Sequence, residues 1–293
     1  MTSDAPSMPQ AGPGAASAAA AIATVMVSGR HGLNIVGRAD LAALAEALER
    51  LAGRAGLRAV VLRGAGERAF IGGADLDEMA ALDPLGARGF IAGIHRVCEA
   101  VRNLPVPVIA RLAGYTLGAG LEIAAACDLR IAAEDAVFGM PEVKVGIPSV
   151  VEAALLPMLV GWGRTRQMLL LGEHFTAAEA ASWGLVQRVV PPEALDAGVA
   201  AWVETLLAAA PRALAQQKAL MRQWEDLPLR AAIAAGIDAF AEAFTTDEPG
   251  RLMRAFRAAH RPPLPGHPFQ ARAPSETLAS TEDPLAPTGE PKA

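Results

Sequence analysis

The stretch AGYTLGAGLEIAAACD, residues 113–128, decides how this chain folds. Before it stands an apolar run, Val106–Leu112, introduced by prolines, which reads as a strand. The chain leaves that strand at Gly114, and Leu117–Gly118–Ala119–Gly120 then starts a helix, Ala119–Ala126. The first N–H groups of a helix have no internal partner, and the dipole leaves partial positive charge there. Small residues let an anion or a polarised carbonyl approach them. Tight packing alone is the plainer use of such glycines. Glu122 stands about one turn in, where a carboxylate suits the dipole. A helix-start acid facing water would need no further account. Leu121, Ile123 and Ala124–Ala126, however, make the helix apolar nearly all round and predict burial. A buried acid needs partners or a function.

Outward from this helix, strands and helices alternate. Ala23–Val27 reads as a strand and Asp40–Ala52 as a helix with Leu41, Leu44, Leu48 and Leu51 on one face. Leu57–Arg63 is a buried strand, Phe90–Val101 a helix, and Leu129–Ile131 and Val137–Gly139 are strands. Alternation of this kind implies βαβ units and a mainly parallel sheet, an α/β fold. From Ser149 onward helices dominate: Val151–Val160, Arg164–Leu171, Ala177–Trp183, Pro192–Ala209, Arg212–Trp224, Leu229–Phe244 and Glu248–His260. One short strand, Leu185–Val190, interrupts them. Residues 1–20 and 262–293 are rich in Pro, Gly, Ser and Ala without apolar periodicity and read as disordered segments.

Composition narrows the function classes. The 293 residues are 52% apolar, ample for a core, but only 4% aromatic, so alanine, leucine and valine carry the packing. A net charge of −5 with no long basic tract argues against nucleic-acid binding. Cys98 and Cys127 lie in apolar surroundings and read as small buried thiols. Residues 15–27 resemble the apolar part of a signal peptide but lack a preceding positive charge, the first basic residue being Arg30. No uninterrupted apolar run reaches the roughly 18 residues of a membrane span. A soluble, cytoplasmic protein without membrane partners is the expectation.

A second small-residue loop, AFIGGADLD (69–77), follows a strand; Gly72, Gly73 and Ala74 could present a bare backbone N–H to a ligand oxygen. Two such sites meeting at one point would make an oxyanion hole. Glu142, in FGMPEVKVG (138–146), is a second acid, at a strand-to-loop corner; alone it reads as an ordinary loop acid. His31, His95, His174, His260 and His267 lack metal-site spacing and read as structural or surface residues, so no metal is expected. Ser149 has no evident His partner for a triad. Arg68 has two open readings, a phosphate contact or a plain surface arginine, and Asp128 reads as structural.

These residues resemble the enoyl-CoA hydratase/isomerase, or crotonase, superfamily over roughly residues 23–260. The likeness is carried, in order, by GGADL (72–76), GYTLGAGLEIAAACDLRIA (114–132), FGMPEVKVGIP (138–148) and AAEAASWGLVQRVVP (177–191). The resemblance implies a crotonase-like spiral of ββα repeats over residues 21–195. It also implies a helical C-terminal trimerisation region over 196–261, between the disordered ends. It implies an acyl-CoA thioester substrate, with coenzyme A part of the substrate and no separate cofactor. A homo-oligomer, a trimer or a dimer of trimers (hexamer), is implied, as is a role in fatty acid metabolism. By position, the N–H groups of Ala74 and Ala119 would form the oxyanion hole, and Ala74, Asp75, Leu76, Asp77 and Ala119 would contact substrate. Glu122 and Glu142 fall where hydratases carry their catalytic pair, with Glu122 as base toward water and Glu142 as proton donor. Same-fold isomerases and hydrolases lack one or both, so the pair favours hydration. A double-bond isomerase, an acyl-CoA hydrolase and a non-catalytic acyl-CoA-binding protein are the competing readings. One departure stands out: SVVEAALLP (149–157) replaces a glycine-rich stretch, and brings a third acid, Glu152, read as a solvated helix-start residue.

Overall fold

The computed structural model describes residues 21–259. The expected disordered segments, 1–20 and 262–293, and His260 and His267 lie outside the described residues. Residues up to Pro249 pack as one unit, and residues 250–259 belong to a second.

Two strands and a helix recur along the first unit. β1 (Ile22–Val27) and α1 (Arg38–Ala52) open it. β2 (Ala59–Gly64) and β3 (Ala69–Ile71) lead into α2 (Leu76–Ala80) and α3 (Pro84–Asn103). β4 (Val108–Leu112) and β5 (Tyr115–Leu117) lead into α4 (Ala119–Ala126). β6 (Leu129–Ala133) and β7 (Val137–Gly139) lead into two 3-10 turns, Glu142–Val145 and Val151–Leu155, and then α5 (Leu156–Leu171). β8 (His174–Thr176), α6 (Ala177–Ser182) and β9 (Arg188–Val190) complete the spiral. Helices α7 (Leu195–Ala208), α8 (Pro211–Asp226), α9 (Leu229–Ala243) and α10 (Glu248–Ala259) follow.

From β2 onward each repeat gives one strand to each of two sheets, and β1 joins the larger one. The larger sheet runs β1-β2-β4-β6-β9 and is parallel throughout; the smaller runs β3-β5-β7-β8, with β8 antiparallel. Parallel strands are covered on both faces. Here β2 and β4 are apolar apart from Arg63 and Arg111 and have almost no exposure. One face of the larger sheet packs on Leu41, Leu48, Phe90, Ile94 and Val97 of α1 and α3. The other packs on Leu195, Val199 and Val203 of α7 through Val61, Ile109 and Ile131.

The mixed α/β fold and the C-terminal helices agree with the sequence reading, and Cys98 and Cys127 are buried free thiols as expected. Three strands went unread: β3, β5 and β8 have three residues each, too few to show alternation. The expected strand Leu185–Val190 shrinks to Arg188–Val190, because Leu185 and Val186 instead bond back to Ala180 at the end of α6. The expected helix Val151–Val160 begins as a 3-10 turn, and Gly161, with φ 75°, bends the chain inside α5.

Candidate active site

Strand β5 ends against α4 in a turn that only glycine can make. Gly118 has φ 52° and ψ −119°, and a Cβ there would lie 2.6 Å from Oε1 of Glu142. Two residues on, a Cβ at Gly120 would lie 2.2 Å from the carbonyl oxygen of Ile71. The glycines therefore let α4 press onto β3 and let Glu142 press onto the helix start. This is the local reason the opening stretch is built of small residues.

A cavity of about 400 Å³ opens there. Gly72–Asp77, Leu117–Ala119, Glu122, Pro141–Glu142, Val145 and Ile147–Val150 contribute most of its lining. It thus gathers both small-residue loops and both acids. Ala119 is the first residue of α4, so its N–H has no acceptor within the helix; the helix begins its ladder with Glu122 N donating to Gly118 O at 3.0 Å. Ala74 pairs with Val36 through a parallel bridge. That bridge uses Val36 N to Gly73 O and Asp75 N to Val36 O, and leaves the Ala74 amide outside it.

Glu122 is 4% exposed. Burial, then the nearby Glu142 and Glu152 carboxylates, push its carboxyl up to about 8, while the neighbouring backbone of Val150 and Ala153 pulls the other way. Glu142 is half-buried, and burial raises it as well; its Oε2 accepts a hydrogen bond from the Ser149 hydroxyl at 2.9 Å. Two acids sharing one cavity, both biased toward holding a proton, suit proton transfer at neutral pH.

The remaining expected contacts divide. Leu76 and Asp77 stand exposed on the rim. Asp75 reaches the cavity too, but its buried carboxylate caps α2 through Asp77 N and Glu78 N and pairs with Arg30. Arg68 is exposed and contributes nothing to the cavity lining. His31, expected to be structural or on the surface, is exposed at the cavity rim. Asp128 is structural, its Oδ2 accepting from Val108 N and Lys218 Nζ at 2.7 Å each.

Two features were missed. Ser149 was weighed as a nucleophile without a partner and as a bulkier replacement in a glycine-rich stretch, whereas its hydroxyl donates to Glu142. Glu152 is not solvated: it is buried and bonded to His95 Nδ1 at 2.8 Å. The 3-10 turn carries it inward, whereas a regular helix start was expected to leave it in water.

Comparison with known proteins places the chain among its relatives. Residues 17–263 match the family described as enoyl-CoA hydratase/isomerase. The chain is similar to a short-chain-enoyl-CoA hydratase of Clostridium acetobutylicum, 33% identical over 236 residues, 80% of this chain and 90% of that protein. It is also similar to an (E)-benzylidenesuccinyl-CoA hydratase of Thauera aromatica, 33% identical over 71% of this chain and 81% of that protein. Among solved structures it resembles an enoyl-CoA hydratase from Mycobacterium smegmatis, with a TM-score of 0.77, 34% identity and coverage of 82% of this chain and 94% of that one.

Proposed function

The chain belongs to the enoyl-CoA hydratase/isomerase family, and on that premise we propose that it adds water across the 2,3 double bond of an enoyl-CoA thioester. The observation that carries the reading is that Glu122, Glu142, Ala74 and Ala119 all line one cavity.

In this reading the thioester carbonyl accepts hydrogen bonds from the two amides, which stabilise negative charge developing on its oxygen as the β-carbon is attacked. One carboxylate takes a proton from water as the water oxygen bonds to the β-carbon. The other acid delivers a proton to the α-carbon. In net terms one O–H bond and the π bond of the alkene break, one C–O and one C–H bond form, and the pair ends with one proton shared, as it began. Glu122 as base toward water and Glu142 as donor requires that shared proton to lie on Glu142 when substrate is bound. In the empty site burial favours it on Glu122. The titration therefore belongs to the pair rather than to either acid.

No cofactor or metal takes part in this scheme, since coenzyme A is the handle of the substrate. A cytoplasmic location and a place in fatty acid or related acyl metabolism belong to the same proposal. Among the described residues no single helix is long and apolar enough to cross a membrane. A homo-oligomer is also proposed: Ile233, Ile237, Phe240 and Phe244 form an exposed apolar row on and just after α9, which a second copy would cover. Light scattering on a Phe240→Glu variant tests it, with a smaller assembly expected.

The deciding experiment follows the loss of the conjugated-thioester absorbance with crotonyl-CoA and with branched, aromatic and long-chain enoyl-CoA esters. Formation of 3-hydroxyacyl-CoA that disappears in Glu122→Gln and in Glu142→Gln is expected. Migration of the double bond, or release of free coenzyme A, would establish the isomerase or the hydrolase reading instead. Thioester binding with no turnover of any ester would establish a binding protein.

A further inference from the structure

Glu142 reaches the cavity from a segment that doubles back on itself. It begins the 3-10 turn Glu142–Val145, just after β7. Gly146 ends that turn with φ 83°, a left-handed conformation that suits glycine. The Ile147 amide then donates to the Glu142 carbonyl at 3.2 Å, which closes the loop at its backbone. Ser149 closes it a second time at the side chains, its hydroxyl donating to Oε2 of Glu142 at 2.9 Å. Both residues line the cavity, and both are only partly exposed. The other carboxylate oxygen, Oε1, lies at the start of α4, where a Cβ on Gly118 would come within 2.6 Å of it. The two oxygens of Glu142 thus have different surroundings: one is bonded to a hydroxyl, and one sits beside the residue that precedes Ala119.

We propose that Ser149 is a positioning residue for Glu142: its hydroxyl holds Oε2 in place and favours the ionised carboxylate in the empty site, so that the single proton of the acid pair rests on Glu122. This rests on the reading of Glu142 as an active-site acid. A hydroxyl that donates to a carboxylate stabilises the charged form, and here it opposes the burial that raises Glu142. The bond also survives the reaction. With a proton on Oε1, Oε2 still accepts from Ser149. When Oε1 gives that proton to the α-carbon, its O–H bond breaks and the electron pair of the thioester enolate forms the C–H bond. The negative charge then returns to a carboxylate that is already hydrogen-bonded. The other charged groups near Glu142 fit this division. Glu122 of α4 is the acid that shares the cavity, Asp75 is paired with Arg30, and His31 and Asp77 stand exposed on the rim. Lys144, on the same turn as Glu142, is exposed, as are Glu173 and His174 beyond α5. From α5, which packs on that turn, Arg164 lies over Trp183 and Arg166 over Trp162, both in water.

The test reads Glu142 directly. The full-length, ligand-free protein is labelled with ¹³C at glutamate carboxyls and titrated by NMR, with Glu142→Gln identifying the signal. In Ser149→Ala the Glu142 midpoint is expected to rise by about one pH unit. Ser149→Thr keeps the hydroxyl and is expected to restore the parent midpoint. A midpoint that stays in place in Ser149→Ala overturns the proposal, as does an equal rise in Ser149→Thr, since the hydroxyl is then not the cause. Circular dichroism checks the fold. Should Ser149→Ala fail to fold, Ser149→Cys, of similar volume but with a weak donor, is expected to show the rise and decides in its place. The pH profile of kcat/KM on the best enoyl-CoA ester gives a second reading. Ser149→Ala is expected to lower its maximum by about tenfold and to move the acid limb up with the Glu142 midpoint. The basic limb, set by loss of the proton on Glu122, is expected to stay in place. An equal fall at every pH, with both limbs fixed, overturns the proposal. If the unmodified protein turns over no ester, the hydratase reading falls and the titration still decides the role of Ser149.

Discussion

The two ends of α4 both carry buried charge, and they are built on opposite rules. At the C-terminal end Arg130 is 4% exposed. Its guanidinium donates to the carbonyls of Ala124, Ala125, Cys127 and Leu185. These include the carbonyls a helix end leaves unpaired, and the cation also complements the helix dipole. Beside it Lys218 pairs with Asp128 and donates to the Val101 and Val106 carbonyls. At the N-terminal end Glu122 sits among acids, and Glu152 keeps an unpartnered oxygen. One end spends its charge on satisfied contacts and so on stability. The other keeps its charge in conflict, and a group in conflict is ready to exchange a proton.

Mutation can break this contrast at either end. The largest effect is expected at the acids: Glu122→Gln and Glu142→Gln should each lower kcat by about 10²–10⁴-fold. Calorimetry should find their binding of a non-reactive acyl-CoA within a few-fold of normal. A loss of binding in step with activity would mean that the acids hold substrate rather than move protons. The next effect is at Ala119, the first residue of α4, where proline is sterically acceptable but removes the N–H. Ala119→Pro should lower kcat by about 10²–10³-fold, while Ala119→Gly, which keeps the amide, should be nearly neutral.

The other end should respond in stability instead. Arg130→Met leaves buried carbonyls without donors and should cost about 3 kcal/mol in urea denaturation, with the kcat of the folded protein little changed. The smallest effect concerns pH. Glu122 is raised in the folded protein, from 4.5 to about 8, so its protonated form is favoured by folding. The stability it contributes is complete below pH 4.5 and is lost as pH rises through about 8. Glu122→Gln should remove that part of the decline, leaving the variant more stable than the parent at pH 9 by about 2 kcal/mol. Identical pH dependence of the two melting curves would show that Glu122 is not strained.

How much of this was legible depended on range. Helix α4 and its acid could be read because apolar periodicity and small residues are local signals. Asp128 was legible as structural for the same reason, at a helix-to-strand turn. Strands β3, β5 and β8 could not be read, because their stability lies in pairings such as Tyr115 with Val137 and Phe138 with Phe175, far apart in sequence. The buried setting of Glu152 was hidden more deeply. It depends on a left-handed valine and on a histidine 57 residues earlier, and neither leaves a mark in a local pattern. Ser149 shows a further limit: a hydroxyl in a loop has several chemistries, and only the carboxylate beside it selects one.

The rim of the cavity has its own consequence. Val145, Ile147 and Val150 line it from short turns and irregular backbone, and each stands partly in water. Below them Glu122 and the Ala119 amide are instead fixed in α4, and Gly118 and Gly120 have no room for a side chain. A lineage carrying this scaffold can therefore exchange its lip, one hydrophobe at a time, and acquire an appetite for a different acyl tail while the reacting end of the molecule stays as it was.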